Sequence, residues 1–204
     1  MYWNQLIDTM VCLQCEWSKK VVKKDVISHF KYICGADISF TVANKGIAAA
    51  VIMNTHLEVV EKAYKKVELP IPYISGFLGF REAEAILDVL NGLENPFDVL
   101  MVNGNGTLHP RGFGLASHVG VLLGKPTIGI TRRPIKEAER DNSLLKIKGK
   151  VEGKIVNGII VSVGHKITLK TAVKVVKNTS IYKMPEPLRQ AHILCTKKAK
   201  EELK

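Results

Sequence analysis

Asp98-Val-Leu-Met-Val102-Asn-Gly-Asn-Gly-Thr-Leu-His-Pro-Arg111 is the stretch on which the reading of this chain turns. Asp98–Val102 is a short, continuous apolar run, which is how a strand buried on both faces looks in sequence. The loop that follows packs Asn103, Asn105, His109 and Arg111 around two glycines, which allow close approach of backbone. A structural turn needs the glycines but has no use for the histidine and arginine. Ligand sites of open α/β sheets lie at the carboxyl ends of strands, so this loop is the first candidate site.

Outward from it, residues 81–93 carry apolar side chains at helical spacing (Ala85, Ile86, Val89, Leu90, Leu93) and stop at Asn95-Pro96. Phe113–Leu123 reads as helix and Pro126–Ile130 as a second buried strand, so helices and strands alternate as in parallel βα units. Upstream, residues 4–30 read as helical. Tyr32–Phe40, Ile47–Met53 and Leu57–Val67 read as three antiparallel strands joined by polar turns. Downstream, Leu144–Ile147 and Ile155–Val163 read as strands, and Thr168–Lys177 and Pro187–Glu202 as helices. These elements predict a mixed sheet of about five main strands flanked by helices, in a single domain spanning 1–204, with 1–30 as a helical N-terminal segment.

The 204 residues are 46% hydrophobic, which excludes a mainly disordered chain. No apolar run is long enough to span a bilayer, and the N-terminus lacks a secretory pattern. Residues 1–100 carry 10 basic and 12 acidic side chains, whereas 101–204 carry 20 and 7, a net of +13. A surplus confined to one half suggests a positive face for nucleic acid, against the blander possibility of a solvated lysine-rich surface. Cys12 and Cys15 form a C-x-x-C without a second pair at zinc spacing, and are expected to be ordinary buried or half-buried thiols. Such cysteine usage fits a reducing, cytoplasmic setting.

Asp37 stands inside the apolar run Cys34–Phe40, where a carboxylate is costly unless compensated or at a solvated edge strand. Glu82 is expected at the opening of the helix over 81–93, where the helix dipole alone would favour an acid.

At these residues the chain resembles a known family. Residues 72–82 (PYISGFLGFRE) resemble PYIPGFLxFRE, residues 102–118 resemble VDGxGxxHPRxxGxASH, and Pro126–Ile130 resembles PTIGV. Gly164-His165 and Pro185–His192 resemble the family's GH turn and PEPTRxAH. Five motifs in order over residues 31–195 are similar to endonuclease V, the deoxyinosine 3′-endonucleases with a ribonuclease H-like fold. The resemblance implies Mg²⁺-dependent cleavage (Mn²⁺ substituting) of DNA at the second phosphodiester 3′ to a deaminated purine such as inosine. The products would carry 3′-hydroxyl and 5′-phosphate ends, inosine-containing RNA would be a second substrate, and the protein would act as a monomer. It further implies that Asp37, Glu82, Asn103 and His192 hold the metal. Tyr73, Ile74 and Ser75 would belong to a wedge entering the duplex. Gly76, Leu78, Gly106 and Gly114 would line the lesion pocket, with His109, Arg111 and Arg132 also on the substrate.

The chain departs from the family pattern at three of these positions. Asn103 replaces the second strand-end aspartate and removes a negative charge from a dication site. Ser75 replaces the wedge proline, and Arg132 stands for a lysine. Asn103 keeps open an alternative: a ribonuclease H-like protein that binds inosine-bearing nucleic acid without turnover.

Overall fold

A computed structural model describes residues 2–42 and 44–203. The expected domain, 1–204, also includes Met1, Ala43 and Lys204, which lie outside the described residues. Helix α1 (Tyr2–Ser18) precedes strands β1 (Tyr32–Phe40), β2 (Lys45–Asn54) and β3 (Val59–Glu68). Then come α2 (Leu78–Leu90), β4 (Val99–Asn103), α3 (Leu115–Leu123) and β5 (Thr127–Thr131). Strands β6 (Glu139–Asp141), β7 (Leu144–Ile147), β8 (Lys150–Val156) and β9 (Ile159–His165) follow, and α4 (Leu169–Thr179) and α5 (Glu186–Glu202) close the chain.

The nine strands of the described residues form one sheet in the order β3-β2-β1-β4-β5-β9-β8-β7-β6. β1, β4 and β5 are parallel neighbours, and the other pairings are antiparallel. The five expected main strands lie together, β3 to β5, and β6 to β9 extend the sheet, β7 coinciding with the expected strand Leu144–Ile147. Residues 155–163 are not one strand. Asn157 (φ 51°) and Gly158 (φ 78°) turn the chain back on itself between β8 and β9. Two successive positive φ values match a tight hairpin turn whose twist suits the flanking strands.

Alternation along β1 sorts its side chains to two faces. Cys34, Ala36 and Ile38 join Ala83, Ile86, Leu115 and Val119 under α2 and α3. Burying one such isoleucine is worth about 1.5–3 kcal/mol. Gly35, Asp37 and Ser39 point to the opposite face, against α5. A Cβ on Gly35 would stand 2.2 Å from the Pro187 carbonyl carbon, so only glycine lets the helix lie this close. Two strand residues advance about 6.6 Å and four helix residues about 6 Å. Gly35, Asp37 and Ser39 therefore meet successive turns of α5 at Leu188, His192 and Thr196.

Several local expectations are corrected. The N-terminal helix ends at Ser18, well short of residue 30. The following segment is instead held by tertiary bonds: Val22 N–H to His165 Nδ1, and the Asp25 carboxylate accepting from Thr168 and Thr171. Helix α2 starts at Leu78, so Glu82 lies beyond its first turn and the helix dipole does not account for it. β1 is interior to the sheet, which removes the edge-strand explanation for Asp37. Cys12 and Cys15 are exposed, because α1 buries only Met10 and Gln14 among its described side chains. Among the described residues no helix is long and apolar enough to cross a membrane.

Candidate active site

Parallel pairing of β1 with β4 in the register Ala36 to Val102 brings the next residues, Asp37 and Asn103, side by side. Asn103 Nδ2 donates to Asp37 Oδ1 at 3.0 Å, and His192 Nδ1 donates to Asp37 Oδ2 at 2.7 Å. Asp37 is 6% exposed and the His192 side chain 44%. The hydrogen bond to Asp37 raises the His192 pKa above the usual imidazole value, and the charge of Arg132 opposes the shift. Arg132 thus sits within electrostatic reach of the cluster, although it does not line the neighbouring cavity.

Glu82 is the unusual member. It is 7% exposed, and its carboxyl makes no hydrogen bond among the described residues. Burial, reinforced by the Asp37 charge, pushes its carboxyl up to about 8. A buried, unpartnered carboxyl beside a second carboxylate is a site that gains from a cation.

The residues present fit a hard divalent ion on this ground. Asp37, Glu82 and the Asn103 amide are oxygen donors of the kind such ions prefer, and His192 stands beside Asp37. One position was not foreseen. Asp37, His192 and Cys195 each offer a ligand atom, all within 4.8 Å of one another. Cys195 lies one helical turn beyond His192 on the same face of α5, with Sγ donating to the His192 carbonyl. Burial pushes its thiol up to about 11, so it carries its proton at neutral pH. The one sequence signal for it was its i+3 spacing from His192.

Leu78, one helical turn before Glu82, and Asn105, two residues after Asn103, line a cavity of about 460 Å³ that Asp37, Glu82, Asn103 and His192 themselves do not line. Its walls include Tyr73, Ser75, Gly76, Leu78, His109, Arg111 and Gly114. Ile74 and Gly106 are not among its lining residues. Ile74 serves the turn, its carbonyl accepting from Phe77 N–H, and Gly106 is buried beneath β9. A Cβ on Gly106 would stand 1.9 Å from the Val163 carbonyl oxygen. Its N–H donates to Ser162 Oγ, and its carbonyl accepts from Gly114 N–H, so it shapes the loop from below.

His109 is neutral here, since burial and the Arg111 charge push its pKa down to about 4. Its Nδ1 accepts from Arg111 N–H, which leaves Nε2 to donate to the Gly76 carbonyl at 3.1 Å. Asn105 lines the same cavity, and its Oδ1 is buried without a hydrogen-bond partner among the described residues. The segment Pro134–Glu137 and Gln14 complete the wall and were not anticipated. Gln14 was detectable in principle, four residues after Met10 on the stripe of α1 that faces inward.

The sequence model of the family Endonuclease V matches residues 15–193. Endonuclease V of Dictyoglomus thermophilum is 36% identical over 210 residues, covering 95% of this chain and 91% of its own. The catalytic domain of human Endonuclease V superposes with a TM-score of 0.91 at 29% identity, covering 98% of each chain. Ciona intestinalis Endonuclease V was solved in complex with a 24mer DNA containing an inosine followed by a ribo-adenosine. It gives 0.90 at 28% identity over 97% of this chain and 99% of its own. Matched by the family model over residues 15–193 and by relatives in sequence and fold along nearly its whole length, the chain belongs to the Endonuclease V family of hydrolases.

Proposed function

We propose that this protein is a Mg²⁺-dependent endonuclease that recognises inosine in DNA, cuts the second phosphodiester 3′ to it, and accepts inosine-containing RNA as a second substrate. One observation carries this. The cavity and the cluster share two segments. Leu78 lines the cavity one helical turn before Glu82, and Asn105 lines it two residues after Asn103. A base taken out of its stack into the cavity therefore leaves its own strand beside the carboxylates.

Asp37, Glu82, Asn103 and His192 would hold the ion. When bound, it would supply an activated water and stabilise the leaving oxygen. Arg132 adds positive charge next to the phosphate. The neutral His109, with both ring nitrogens engaged, fixes the Gly76 peptide in the cavity wall. The complex of the Ciona relative with inosine-bearing DNA supports the choice of lesion. The positive charge of the second half of the chain supports nucleic acid as the partner. We further infer a single-domain monomer of the cytoplasm, in line with four free thiols.

A second reading, binding without turnover, rests on Asn103 alone. Incubation of end-labelled DNA and RNA strands, each with one inosine, in Mg²⁺, Mn²⁺ or EDTA separates the two on a denaturing gel. The expected result is one metal-dependent product per strand, cut one nucleotide beyond the inosine. Retention of the strand with no product in either metal selects the binding protein. Equal treatment of inosine and guanosine strands removes the lesion from the account.

A further inference from the structure

Helix α1 makes one connection that its amphipathic pattern does not explain. Only Met10 and Gln14 are buried among its described side chains, and Gln14 is 1% exposed. A buried amide is costly unless all its hydrogen-bonding capacity is used. Gln14 engages both amide hydrogens and its oxygen. Nε2 donates one hydrogen to the Gly76 carbonyl and the other to the Phe113 carbonyl, both at 3.0 Å. Oε1 accepts from Arg111 Nε at 2.5 Å. One side chain thus ties together α1, the turn after Tyr73–Ser75 and the loop that ends β4.

The Gly76 carbonyl accepts from Gln14 Nε2, His109 Nε2 and Arg111 Nη2 together. Gly76 has φ +82°, a conformation that side chains rarely adopt, and a Cβ there would press on Arg111 at 3.0 Å. The peptide at the mouth of the cavity is therefore held in one orientation by three donors, and Gln14 in turn orients one of the other two. A fully satisfied polar network of this kind fixes geometry more than it adds stability. The family match begins at residue 15, one position after Gln14.

We propose that Gln14 is a positioning residue for base discrimination, fixing the Gly76 peptide and Arg111 against the extruded base. This rests on the inosine-specific function proposed above. The test is equilibrium binding in EDTA, by fluorescence anisotropy. The probes are a labelled DNA strand with one deoxyinosine and the same strand with deoxyguanosine.

Gln14→Leu removes all three bonds. Gln14→Glu keeps the acceptor for Arg111 but removes both donors to carbonyls. Met10→Ala, on the same buried stripe, is the control for loosening α1. Both Gln14 variants should lose tenfold or more of the inosine-over-guanosine preference, with guanosine-strand affinity within about twofold of wild type. Met10→Ala should lower the melting temperature and keep the preference. Unchanged preference, equal loss on both strands, or failure of both Gln14 variants to fold overturns the proposal. Absence of any preference in the wild type overturns the proposed function as well, which distinguishes the two failures.

Discussion

Asn103 donates its amide hydrogen to Oδ1 of Asp37 across 3.0 Å, at the position where two parallel strands run side by side. A carboxylate in its place would face Asp37 as a like charge and could approach only with a proton or a cation between them. The amide thus settles the cluster without metal, and on the function proposed above it is expected to weaken the hold on a dication. Asn103→Asp should raise turnover on an inosine strand in Mg²⁺ by on the order of tenfold or more, with affinity for the strand nearly unchanged. The gain should be smaller in Mn²⁺, which binds nitrogen and neutral oxygen ligands more readily. Steady-state kinetics beside EDTA binding measure both. If wild type already cuts fast in Mg²⁺ and the variant matches it, Asn103 is not at the metal.

The Glu82 carboxyl titrates at about 8 in the folded protein against an ordinary value of 4.5. A raised pKa contributes stability that is complete below 4.5 and is lost as pH climbs through 8. In EDTA, Glu82→Gln should match wild type near pH 4.5 and exceed it by roughly a few kcal/mol at pH 8 and above. Mg²⁺ should then raise the wild-type melting temperature at pH 8 and leave that of the variant almost where it was. Parallel melting curves in both proteins would place Glu82 in solvent.

Much of this site could be read from residue order. A carboxylate in an apolar strand and a glycine-polar loop after a buried one are both visible without coordinates, and Asp37 and Asn103 do meet. The rest depends on long-range geometry that no local pattern encodes. His192 reaches Asp37 because Gly35, two residues earlier, lets α5 lie on β1. The N-terminal helix stops at Ser18 although apolar residues continue, since Val22 and Asp25 find partners more than 140 residues away. Asn157-Gly158, by contrast, was a legible hairpin signal hidden inside an apolar stretch.

His118 is enclosed by the rings of Trp17, Phe80 and Phe113, with centroids 5.1, 5.1 and 5.3 Å away. Its Nδ1 is buried and unpartnered among the described residues, and burial pushes the imidazole down to about 4 from 6.5. The unfolded chain therefore takes up a proton near 6.5 that the folded one refuses until about 4. Stability is complete above that window and lost as pH falls through it, by at most roughly 3 kcal/mol from this residue. His118→Phe keeps an aromatic ring and removes the titration. Urea unfolding at pH 7.5, 6 and 5 should show a shallower decline for the variant than for wild type. Identical slopes would mean that a proton is accommodated inside the cage.

Tyr73 is 69% exposed at the rim of the cavity, an unusual place for an aromatic side chain with no ring partner among the described residues. Exposure of this kind at the tip of a turn suits a ring that enters a base stack when a neighbouring base leaves it. Filling that gap is worth about 1–3 kcal/mol by analogy with base–aromatic stacking. Only duplex substrate has a stack to repair, because a lesion in a single strand is already free to leave. Tyr73→Ala should therefore weaken binding of an inosine-bearing duplex by about tenfold to a hundredfold, while affinity for the same lesion in a single strand changes by less than threefold. Tyr73→Phe should restore the duplex affinity, since the ring and not the hydroxyl fills the gap. Anisotropy titrations in EDTA with both substrates measure these ratios without cleavage. Equal losses on duplex and single strand would make Tyr73 a general contact of the strand. A variant indistinguishable from wild type on both would take it out of the interface.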